Sequence, residues 1–144
     1  MKVFICFFCS IATIYILCGC KKDNGQSSVD SDLIGSWELR KSEGSITKNF
    51  SPGNGSIYQF TDTAYSTFSN KVLIKKGHYT VIEDTTASSQ VGLVISPGQY
   101  TNRIIFDNDT LSNKIFFQIS ANKLSLLSGF FPLDGGSIET YEKE

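Results

Sequence analysis

From Leu33 onward the chain is built of short runs with apolar residues at every second position, punctuated by Gly, Pro and Asx, and no stretch sustains a period of 3.6. This pattern predicts strands near Leu33 to Ser42, Ser56 to Thr61, Ala64 to Ser69, Val72 to Glu83, Gln90 to Ile95, Tyr100 to Asp107, Lys114 to Ser120, Lys123 to Ser128 and Ser137 to Lys143. Turn chemistry sits in the gaps: Ser51-Pro52-Gly53-Asn54-Gly55, Ser69-Asn70, Ser96-Pro97-Gly98, Asp107-Asn108-Asp109, Ala121-Asn122 and Asp134-Gly135-Gly136. Because the gaps are short, successive strands are expected to be antiparallel neighbours. Alternation puts Trp37 with Leu39 on one face, Tyr58 with Phe60, Tyr79 with Val81, Ile115 with Phe117 and Ile119, and Leu124 with Leu126. Eight or nine strands with one apolar side each are best satisfied by a sheet closed on itself. The expectation is all-β: a small antiparallel up-and-down barrel.

The first residues carry a different signal. After Met1-Lys2 the run VFICFFCSIATIYIL is apolar except for Ser10 and Thr13, which is the charged and apolar make-up of an export signal. It ends in Leu17-Cys18-Gly19-Cys20, which resembles the lipobox of bacterial lipoproteins. The resemblance implies cleavage before Cys20, acylation of its thiol and amino group, and tethering to a membrane by chains that exceed the two-signal requirement for stable attachment. An uncleaved span is the other reading of an apolar run this long; it is short for roughly 20 residues of bilayer, and polar sequence follows at once. Residues 1–19 are thus read as signal peptide, 20–32 as acylated Cys and flexible tether, and 33–144 as one barrel domain. Cys6, Cys9 and Cys18 fall in the removed part, so neither a disulfide nor a thiolate metal site is expected.

The tether, KKDNGQSSVDSD, has one apolar residue and the composition of a solvated linker. Its opening Lys21-Lys22-Asp23 also resembles the charged export tags of surface lipoproteins in the Bacteroidetes, which implies an outer-membrane lipoprotein displayed at the surface. With 13 basic and 14 acidic residues the chain has no electrostatic footprint for nucleic acid.

Leu33-Ile34-Gly35-Ser36-Trp37-Glu38-Leu39 resembles the G-x-W opening of the lipocalin-like superfamily, in which the Trp closes one end of an eight-stranded barrel and the Gly leaves room for it. Together with YQFTDTAY, GHYTV, NRIIFDND and NKLSLLSGFFPLDGGSIETYEK, it is similar to the lipocalin-like lipoproteins of the Bacteroidetes. The resemblance implies a small hydrophobic ligand held among Trp37, Tyr58, Phe60, Tyr79, Phe117 and Leu126. Larger lipocalins set an Arg from a late strand over the Trp; here the last two strands have none, and Lys123 or Lys143 is the candidate for that place.

His78, the one histidine, is out of phase with Tyr79 and Val81 and is expected on the polar side of its strand; without a nucleophile elbow it suggests no hydrolase. Asp107, Asn108 and Asp109 lack the spacing and late Glu of a calcium loop and read as an Asx turn. No phosphate loop, Cys/His cluster or nucleotide unit is present in the sequence, so no cofactor and no catalysis is expected. Phe130, Phe131 and Leu133, around Pro132, either plug a barrel end or form a patch for a partner protein. The function classes left are a lipid-anchored carrier of a small apolar ligand and a non-catalytic interaction module of an envelope assembly.

Overall fold

The computed structural model describes residues 28–144; the signal, Cys20 and the tether as far as residue 27 lie outside the described residues. In chain order the elements are α1 (Ser28–Leu33), β1 (Gly35–Glu43), β2 (Lys48–Asn49), β3 (Ile57–Phe60), β4 (Ala64–Ser69), β5 (Val72–Glu83), α2 (Ala87–Val91), β6 (Asn102–Phe106), β7 (Ile115–Ser120), β8 (Lys123–Ser128), a 3-10 turn (Phe131–Leu133) and β9 (Ser137–Lys143). Strands β1, β3, β4, β5, β6, β7, β8 and β9 pair antiparallel in that order, and β9 returns to β1. The barrel is closed, so its eight strands expose no long edge. The extra strand β2 pairs with the part of β1 that β3 does not reach.

Register turns the alternation of the sequence into an interior. Trp37 lies opposite Tyr58, Phe60 opposite Tyr65, Tyr79 opposite Phe106, Phe117 opposite Leu126, and Tyr141 opposite both Leu124 and Leu39. These side chains form one inner cluster, with the partly buried Tyr58, Phe106, Val81, Ile115 and Ile119 packed against its buried members. Between Leu39 and Lys41 the β1–β9 register slips by one residue. This bulge at Arg40 lets β1 keep Leu39 inward while the guanidinium stays outside. There it binds the nearly fully buried Glu38 at 2.6 Å and Glu142 at 3.2 Å. Glu38 also accepts the Gly53 and Gly55 N–H groups, both at 2.8 Å, so one carboxylate pins the glycine-rich connection over β1. Burial opposes its ionisation, but these donors and Arg40 overcome it and hold the carboxyl below its ordinary value.

Two sequence expectations are corrected. Leu33 ends a helix rather than beginning a strand, and Ser28–Asp32, expected in the tether, belong to that helix. The reason is one fully buried side chain: Leu33 enters the barrel end, and Trp37 Nε1 donates to its carbonyl at 2.7 Å. Residues 90–95 are not a strand. Ala87 and Val91, four apart on one face of α2, are buried against the outward Phe116 and Leu127, and Leu93 and Ile95 join the same outer cluster. Gly92, left-handed at φ 72°, ends the helix. The apolar alternation of 91, 93 and 95 therefore serves a covering segment packed outside the barrel.

Candidate functional site

The strand connections divide between two ends. α1, the 61–63 turn, the α2-bearing segment, the 121–122 turn and the C-terminus emerge at one; the 44–56, 70–71, 107–114 and 129–136 connections emerge at the other.

The first end is sealed. Trp37 and Leu33 are fully buried, and Lys143 Nζ sits 5.0 Å from the Trp37 ring centroid. Of the two lysines expected at that place, the structure puts Lys143 there. Gly35 makes the approach possible, because a Cβ on it would stand 2.8 Å from Lys143 Cε, and its φ of 139° suits glycine.

The six residues expected to hold a ligand all point into the barrel, where they fill the interior. Tyr58 stacks on Phe60 at 5.5 Å and on Phe106, from well across the barrel, at 6.0 Å. Phe60 meets Tyr79 edge-on at 5.2 Å, and Tyr65 lies 4.5 Å from Phe106. Tyr79 spends its hydroxyl on the Thr61 carbonyl at 2.6 Å. The aromatic meshing runs along the axis, with Trp37, Phe117 and Leu126 completing it. A concavity of about 320 Å³ lies outside the barrel between α2, residues 110–114 and Phe130.

At the second end Phe50 packs on the inner cluster and a polar concavity opens beside it. A concavity of about 260 Å³ enters between Tyr58 and Thr67 on one side and Glu139 and Tyr141 on the other. Tyr141 donates its hydroxyl to Glu139 at 2.7 Å, and its ring meets Tyr58 at 5.4 Å and 76°. Burial, and then the Glu139 charge, push the Tyr58 hydroxyl up to about 12 and raise that of Tyr141 further still. On the facing wall Asp107 accepts from the Tyr65 hydroxyl at 2.9 Å and from the His78 N–H at 3.0 Å, and pairs with Lys75 at 2.9 Å. Hydrogen bonds from Lys75 and then Tyr65 depress the Asp107 carboxyl. This fit needs glycine at 77, since a Cβ there would collide with Asp107 Oδ1.

The remaining candidates take simple places. His78 is exposed, its ring Nδ1 3.3 Å from the Thr63 carbonyl oxygen. Asp107 and Asn108 adopt left-handed φ values of 53° and 58°, and Asp109 accepts the Leu111 and Ser112 N–H groups, which makes a self-bonded turn. Phe131 does not plug the barrel: it packs in the outer cluster, while Phe130 and Pro132 close over Gly92. Phe130 and Leu133 stay exposed.

Sequence reasoning passed over Glu139, Tyr141, Lys75, Glu38 and Arg40. For Glu139 the signal was its period-two phase with Tyr141, obscured because Ile138 and Thr140 give the other face an equal claim. No family model, curated protein or solved structure matches this chain. What defines the molecule is its geometry: a closed eight-stranded antiparallel barrel with a packed interior, one sealed end and one open mouth.

Proposed function

We propose that the chain is a lipoprotein of the cell envelope, held in the outer membrane through Cys20, whose barrel is a non-catalytic interaction module working through its open end. The observation that carries this is the placement of exposed apolar side chains. Of the nine large ones among the described residues, seven lie on connections or strand starts at the open end: Ile46, Val72, Leu73, Ile74, Leu111, Phe130 and Leu133. Leu111 and Leu133 are 97% and 80% exposed. Apolar surface gathered in one place marks a site of contact with another molecule. The tether reinforces the direction, because α1 enters at the sealed end, and the eight residues from Cys20 to Ser28 reach at most about 30 Å. On this reading the sealed end faces the bilayer and the apolar rim faces away from it.

A photo-crosslinking side chain placed at 111 or 133 in intact cells is expected to trap a discrete partner, and one placed at 121 in the sealed-end turn is not. The triple change Ile46→Ser, Leu111→Ser, Leu133→Ser is expected to remove the trapped species. Equal trapping at both ends would defeat the reading. Carriage of a small apolar ligand, the competing function, would require opening the Tyr58–Phe106 stack. Recovery of a stoichiometric lipid by extraction of natively purified protein would restore it.

A further inference from the structure

The mouth contains a carboxylate that the described residues do not neutralise. Glu139 stands opposite Leu126 and Ser42 and in phase with Tyr141, which directs it into the mouth. Its hydrogen bond comes from the Tyr141 hydroxyl, and among the described residues no Lys, Arg or His forms an ion pair with it. Its neighbours are better provided. Lys41 serves Glu43, Arg40 serves Glu38 and Glu142, and Lys75 on the facing wall is taken by Asp107 and lies 5.6 Å from the Tyr65 ring centroid.

Beside Glu139 the concavity is walled by two tyrosine rings set nearly at right angles. A neutral apolar ligand there would strip water from a carboxylate and give nothing back, which is costly. An anion would meet like charge. A cation with apolar substituents suits this lining: its charge answers Glu139, and its carbons cover the parts of Tyr58 and Tyr141 that line the concavity.

We propose that the concavity between Tyr58, Tyr141 and Glu139 binds an alkylammonium group, supplied either by a free amine or by a lysine side chain of a docked protein. In the second case the proposal rests on the open end being the working surface. A lysine entering the mouth would lay its four-carbon stem against the apolar rim while its head reached Glu139.

The test uses the full chain in a maltoside detergent, which carries no ammonium of its own. Butylammonium and tetramethylammonium are titrated at constant ionic strength, followed by calorimetry and by the tyrosine ring signals in NMR, with butanol as neutral control. Saturable binding in the millimolar range is expected for both amines and none for butanol. Glu139→Gln is expected to weaken it roughly tenfold and Tyr58→Leu severalfold. An unchanged unfolding midpoint for Glu139→Gln keeps the comparison valid, and Glu139→Asp, which retains the charge, is expected to recover part of the affinity. A short peptide with one lysine among leucines assigns the source. Binding tighter than butylammonium, lost on acetylation of the lysine, points to a protein side chain; binding no tighter points to a free amine. Absence of saturable amine binding, or equal affinity in Glu139→Gln, overturns the site. Because this assay needs no partner, its failure leaves the crosslinking result standing, and equal trapping at both ends while amine binding persists defeats only the protein-docking reading.

Discussion

At the sealed end Leu33 and Trp37 are fully buried, tied by a hydrogen bond through the indole and covered by Lys143. At the open end three of the four connections offer an apolar side chain to water instead, at Ile46, Leu111 and Leu133. The residue types are the same, Leu and aromatic, and only the context differs. The chain completes one end with its own N-terminal helix, whereas at the other Phe50 packs on the inner cluster and Ile46, Leu111 and Leu133 stay exposed. Burial at the first end is an investment in stability, and exposure at the second has no structural return, which is why the rim is read as a contact surface.

The largest expected effect tests the sealed end. Trp37→Ala removes a fully buried indole and the donor to Leu33, and should cost about 3–5 kcal/mol of unfolding free energy, measured by urea denaturation. A loss below about 1 kcal/mol would mean that this end closes without its Trp and that the two ends differ less than their exposure suggests.

The outer wall stands between these extremes, and charge holds part of it. Asp84 pairs with Lys114 at 2.9 Å and accepts from Thr86 just ahead of α2. Arg103 lies 3.5 Å away on the strand beneath. Burial works against the Asp84 carboxylate, but the Thr86 and Lys114 hydrogen bonds prevail and hold it at about 2, against an ordinary 3.8. A carboxyl depressed on folding stabilises the native state above its unfolded value, and that contribution is lost as pH falls through the folded one. About 2 kcal/mol should therefore disappear between pH 4 and 2, as the difference in acid unfolding between the wild type and Asp84→Asn. Parallel acid profiles for the two proteins would show that the α2 cover is held by apolar packing alone.

The interior face was the legible part of the sequence. Each pair placed in phase, from Trp37 with Leu39 to Leu124 with Leu126, lies in the inner cluster, because period two survives wherever one side of a strand is buried. The outer cover was less legible, although Phe116-Phe117 and Leu126-Leu127 carried the clue: adjacent apolar residues on a strand mean that both faces are covered. α2 escaped notice because a five-residue helix has too few turns to show its period, and because Val91, Leu93 and Ile95 imitate a strand. The mouth was hidden for another reason. Its groups come from β3, β4, β5, β9 and the connection after β6, and only closure of the sheet brings them together.

The smallest expected effect is the most discriminating for the rim. Leu111 is almost fully exposed, so Leu111→Ala removes no packed contact and leaves no cavity. The change, like Ile46→Ser and Leu133→Ser, should alter unfolding free energy by no more than about 0.5 kcal/mol. Urea denaturation of each single variant checks this. A loss above about 1 kcal/mol at any of the three would mean that the chain covers that loop itself, and its apolar side chain would then be accounted for by folding. Near-neutrality at all three is what the proposed contact surface requires, since residues kept for an outside partner are ones that folding does not use.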